Sequence, residues 1–113
     1  MARTLNLGEF EQLILLAILR LGDDAYGVTI RAELADRAGR HVAPGALYTA
    51  LERLEIKGLI TSRMSDPTPQ RGGRAKRHVR VTAAGMEALT RALQAYERLL
   101  DGLDLARGCS VRL

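Results

Sequence analysis

The sequence predicts a mainly α protein with one small β-hairpin, and three observations predict it. Apolar residues recur at three- and four-residue steps in three successive segments that end at Gly58. From Leu59 the period changes to alternation, on both sides of a proline- and glycine-rich loop. A last segment, from Met86, carries a heptad seam.

Asn6 and Glu9 have the spacing of a capping box and predict the start of the first helix. Phe10, Leu13, Ile14, Ala17, Ile18 and Leu21 form one face of it, and Leu15, Leu16 and Leu19 make the other face apolar too. A helix apolar all round belongs in a core or between subunits. Gly22 ends it. Asp23 and Asp24 suit the N-terminus of a second helix, whose stripe is Tyr26, Ile30, Leu34 and Ala38, with Gly39 as the breaker. Pro44 suits the first turn of a third, in which Leu47, Leu51 and Leu54 face inward. Gly45, Ala46, Thr49, Glu52 and Arg53 then lie on the opposite face.

"LITSRMS" and "KRHVRVT" read as two strands around the loop "DPTPQRGGRA". Alternation puts Arg77, Val79 and Val81 on one face of the second strand and Lys76, His78 and Arg80 on the other. Thr82 suits the cap of a fourth helix, whose seam is Met86, Leu89, Leu93, Tyr96, Leu100 and Leu103, widened by Leu99. If the first three helices already form a core, that seam needs a second copy of the chain; folding back on its own domain is the competing reading. The last residues, "RGCSVRL", show no pattern and are expected to fray. The predicted organisation is therefore a globular unit over residues 1–82, a dimerisation helix over 83–106 and a tail over 107–113.

At 113 residues the chain has room for one compact domain, and 47% of its residues are apolar. The longest apolar run, Leu13 to Leu19, is far short of the roughly 20 residues of a membrane span. No leader sequence opens the chain, and its one cysteine, Cys109, fits a reducing compartment, so a cytoplasmic protein with no membrane partner is expected.

Charge is where the sequence turns directional. There are 17 basic and 13 acidic residues; without Arg71, Arg74, Lys76, Arg77 and Arg80 the balance is 12 against 13. All the excess positive charge sits in one hairpin, which is a field aimed at a polyanion, with double-stranded DNA the first candidate and anionic lipid the second.

Three helices followed by a basic hairpin is the layout of a winged helix-turn-helix, in which the third helix enters the major groove and the hairpin lies along the flanking backbone. Gly45 and Ala46 allow close approach to the groove floor, Thr49 suits a base edge or a thymine methyl, and Arg53 reaches phosphate or guanine. Tyr48 lies at the edge of the buried face and is balanced between packing and phosphate contact. In the wing, Gly72 and Gly73 let the tip adapt while Arg71, Arg74, Lys76 and Arg77 supply charge.

At this level of detail the chain resembles a known family. "GALYTALERLEIKGLI" followed by "GGRAKRHVRVTAAG", with "AYGVTI" upstream, is similar to the PadR family of bacterial transcriptional regulators over about Leu7 to Leu105. The single terminal helix is similar to the family's short-tailed branch. The resemblance implies a homodimer, more often a repressor than an activator, built by the first and last helices. It places Tyr48, Thr49 and Arg53 on the recognition helix and Arg74, Lys76 and Arg77 on the wing. The implied dimer interface draws on Phe10, Leu13 and Ala17 with Met86, Leu89, Leu93, Tyr96, Leu100 and Leu103. It also implies that a small aromatic or hydrophobic effector has a place near that interface, in a gap that Phe10, Leu13, Ala17 and Tyr96 would line; plain packing is the simpler account. Ala75, His78, Val79 and Thr49 depart from the family pattern, which bears on wing stiffness and base preference and leaves the fold untouched.

His41, His78 and Cys109 have no metal-site spacing, and Ser62, Ser65 and Ser110 lack a triad or elbow context, so neither a cofactor nor catalysis is expected. The rival function is a helical dimerisation module whose basic hairpin binds an acidic protein or an anionic lipid surface.

Overall fold

A computed structural model describes residues 7–64, 76–106 and 108–110. Helix α1 spans Glu9–Leu21, α2 Gly27–Ala38 and α3 Pro44–Ile56; a 3-10 turn, Gly22–Asp24, joins the first two. Strands β1 (Ile60–Met64) and β2 (Arg77–Val81) form an antiparallel pair, α4 runs over Ala83–Leu100, and β3 (Leu103–Asp104) pairs with β4 (Cys109–Ser110).

The cap of α1 falls two residues later than the Asn6–Glu9 spacing predicts. Gly8 is the extended residue before the helix and its amide donates to Glu11 Oε1 at 3.1 Å, while Glu9 is already helical. Asp23 and Asp24 form the 3-10 turn, so Thr29 rather than either aspartate caps α2: the Tyr26 amide donates to Thr29 Oγ1 at 3.0 Å. Gly39 closes α2 in the left-handed region, and the Arg40 amide reaches back to Leu34 O at 3.0 Å. Pro44 opens α3.

One core unites these elements. Ile14, Leu15 and Ile18 of α1 meet Ile30 and Leu34 of α2, Leu47, Leu51 and Leu54 of α3, and Leu59, Ile60, Val79 and Leu89. Every buried member is apolar, and among the described residues no buried side-chain polar atom lacks a hydrogen bond. The hairpin register pairs Ile60 with Val81 and Ser62 with Val79, which turns Ile60 and Val79 into the core. The Val79 amide donates to Ala25 O at 2.9 Å, so the residue after the 3-10 turn covers the other edge of β2.

Helix α4 divides in two. Gly85, Ala88 and Leu89 are buried, whereas Tyr96, Leu99 (77% exposed) and Leu100 lie open on the far half. Two residues expected to face a partner are therefore spent inside the subunit: Ala17 and Leu89 are each only 3% exposed, because α1 and the near half of α4 pack on the hairpin and on each other. Phe10, Leu13 and Leu93 are half-buried against the same core. The expected seam also ends early. Gly102 takes φ 79° directly after Asp101, and Leu103 leaves in a strand instead of taking the sixth seam position. Cys109 and Ser110, expected to fray, pair with that strand.

Candidate nucleic-acid interface

Helix α3 presents Gly45, Ala46, Tyr48, Thr49, Glu52 and Arg53 outward, as its period predicts. Nothing lies within 4 Å of where a Gly45 side chain would begin, so the N-terminal end of this face is open to a close approach. The Thr49 hydroxyl donates back to Gly45 O at 3.0 Å, which restricts its rotamer and leaves the oxygen able to accept a further bond on an exposed side chain. Tyr48 is both exposed and packed. Half its surface is exposed, yet its hydroxyl lies over Gly27, where an added Cβ would come within 3.0 Å of the oxygen.

The base of the wing is held on the neighbouring residue. Lys76 Nζ sits 4.6 Å from the centre of the Tyr26 ring and 3.3 Å from its hydroxyl. The His78 ring lies 5.3 Å from the same ring, and its Nδ1 pairs with Asp23 O at 3.0 Å. Arg80 reaches Asp23 Oδ1 at 3.3 Å in a fully hydrated setting. Thus Tyr48 of the third helix and Lys76 of the wing rest on consecutive residues, Gly27 and Tyr26, at the start of α2. The two predicted DNA-contacting elements are brought to one place.

Arg77 stands apart from Lys76. It occupies the opposite face of β2, where its guanidinium forms an ion pair with Glu55 of α3. Glu55 also accepts from the Ser62 hydroxyl of β1 at 3.0 Å. One carboxylate therefore ties both strands to the third helix, and the Arg77 charge is already engaged within the subunit. Glu52 is exposed. Arg71, Gly72, Gly73 and Arg74 lie outside the described residues.

Periodicity and charge in the sequence do not mark Tyr26, Asp23 or Glu55 as site residues. Tyr26 read as a core stripe residue, and its aromatic face over a lysine is a tertiary fact with no local signal. Glu55 had a faint one: an acidic residue at the inner edge of α3, opposite a strand that alternates basic residues.

A family model described as "Transcriptional regulator PadR-like family" matches residues 15–91, from α1 into α4. The chain belongs to the PadR-like family of transcriptional regulators. Transcriptional regulator Rv3488 of Mycobacterium tuberculosis is 42% identical over 79 residues, 68% of this chain and 67% of that one. A PadR family transcription regulator from Clostridium difficile R20291 superposes with a TM-score of 0.65 at 29% identity, covering 80% of this chain and 90% of the other. A PadR family regulator from Eggerthella lenta gives 0.64 at 28% identity, over 83% and 81%. PadR-like proteins are DNA-binding regulators and not enzymes, and the α1–α3 plus hairpin arrangement is their winged helix-turn-helix. Among the described residues no helix is long and apolar enough to cross a membrane, and no three His, Cys, Asp or Glu side chains cluster as metal ligands.

Proposed function

We propose that this PadR-like regulator is a cytoplasmic homodimeric repressor that reads a near-palindromic operator and acts by covering a promoter. The observation that carries the reading is the meeting of Tyr48 and Lys76 on Gly27 and Tyr26, which sets the open face of α3 beside the wing. Gly45, Ala46 and Thr49 approach base edges, Arg53 and Tyr48 contact phosphate or bases at the rim, and Lys76 with the rest of the wing grips the backbone without regard to sequence.

The dimer rests on the far half of α4, where Leu99 is largely exposed and Tyr96 and Leu100 are about half exposed. Met86, Leu103 and the half-buried Phe10, Leu13 and Leu93 extend that apolar surface. Two recognition helices related by a two-fold axis fit half-sites about one turn of DNA apart, roughly 34–36 Å. An apolar effector has its natural place where Phe10 and Leu13 of one subunit meet Tyr96 of the dimer.

The test is titration of the gene's own upstream duplex at low and moderate salt, with heparin as competitor, followed by footprinting. A protected inverted repeat that survives heparin is the expected outcome. Equal displacement by heparin with no footprint would mean that the hairpin binds any acidic surface, and the operator reading would fail.

A further inference from the structure

The junction between wing and α4 is the tightest place among the described glycines. A Cβ built on Gly85 would lie 2.2 Å from Leu59 O, 2.7 Å from Val81 Cγ1 and 3.1 Å from the Leu59 carbonyl carbon. The carbonyl is not loose. It accepts the Thr82 amide at 3.0 Å, and Leu59 is fully buried. Thr82 fastens the joint from the other side: its hydroxyl donates to Gly58 O at 2.7 Å and accepts the Gly85 amide at 3.0 Å. The first turn of α4 is thus pressed directly on the backbone of the link between α3 and β1, at Gly58 and Leu59.

From this we infer that Gly85 is a positioning residue for operator recognition: its contact with Leu59 fixes the tilt of α4 and so the separation of the two recognition helices. The inference rests on the dimeric reading above. Restoring ordinary contact of 3.4 Å at Gly85 requires a displacement of about 1.2 Å. Leu89, buried one turn on, is the natural pivot, about 6 Å along the axis at 1.5 Å per residue. The resulting tilt is about 0.2 radian. Leu100, roughly 17 Å beyond the pivot, then swings by about 3 Å. That is close to the ~3.4 Å rise of one base pair, and both subunits contribute. A joint without a side chain is a register setting, and the lever is long enough for one methyl group to change it.

The experiment uses the full chain and a set of palindromic duplexes whose half-sites are moved apart or together one base pair at a time, with an isolated half-site as control. Wild type is expected to show one sharp spacer optimum. Gly85→Ala is expected to move that optimum by one or two base pairs, or to lose about tenfold in affinity at the wild-type spacing, while isolated half-site affinity is unchanged. Where circular dichroism shows Gly85→Ala unfolded, Thr82→Val decides: it loosens the same joint, and a flattened spacer profile is expected. A variant that folds and keeps the wild-type optimum and affinity overturns the inference. A wild-type protein with no spacer optimum overturns the dimeric operator reading and this inference with it, whereas a sharp wild-type optimum whose position, shape and affinity are unchanged in both variants overturns the inference alone.

Discussion

Lys76 and Arg77 are neighbours in sequence with opposite assignments in space, and replacing each by alanine separates them. Lys76 stands just before β2 with its ammonium over Tyr26; Arg77 is paired with Glu55 on the inner face of β2. Each phosphate neutralised on duplex DNA adds about 0.9 to the slope of log affinity against log salt. Loss of one such contact therefore weakens binding about eightfold at 0.1 M salt and about fourfold at 0.2 M. Lys76→Ala should show both numbers, on operator and random duplex alike, with the slope flattened by about 0.9. Its cost in stability is about 0.5 kcal/mol, that of an exposed cation–π contact. Arg77→Ala should leave the slope nearly unchanged and remove up to about 1 kcal/mol of stability, because its partner is half-exposed and screened. Fluorescence anisotropy at four salt concentrations reads the slopes and urea titration reads the stabilities. An unchanged slope in Lys76→Ala, or equal slopes in the two variants, would refute the assignment of faces.

Three further outcomes follow from the same geometry. Gly27→Ala should weaken DNA binding several-fold by pushing the Tyr48 hydroxyl from its seat, and it should have much less effect when made in a Tyr48→Phe background, which lacks the crowded oxygen, in the same anisotropy assay. Leu54→Ala, at a fully buried position between α3 and the rest of the core, should cost about 2–5 kcal/mol, seen as a lower urea midpoint with little change in m-value. Leu99→Glu should leave the fold intact and dissociate the dimer, so sedimentation should give the monomer mass; a dimer that persists would place the interface elsewhere.

What the sequence made legible was the set of elements; what it withheld was which surface covers which. Period and punctuation located α2, α3 and the two strands of the wing hairpin, since Pro44, Gly39 and Gly58 act through local backbone geometry. Apolar spacing marked Ala17 and Leu89 as members of stripes, but a stripe does not say whether its cover comes from the same subunit, and both are covered from within. The leucine seam ran on past Leu100 in the sequence because leucine spacing is blind to the backbone. The Asp101–Gly102 pair was the turn signal that counted. Alternation placed Arg77 on the Val79 face of β2, but the Glu55 that pairs with it lies 22 residues earlier and left only a faint local signal.

The carboxylate of Glu55, shared between Ser62 and Arg77, has a kinetic consequence. Helix and hairpin root lose their relative freedom when the chain folds, not when it meets a duplex, so that ordering entropy is absent from the encounter. Capture should then be limited by diffusion steered by charge, with rates that drop steeply as ionic strength rises and barely respond to viscosity-independent rearrangement steps.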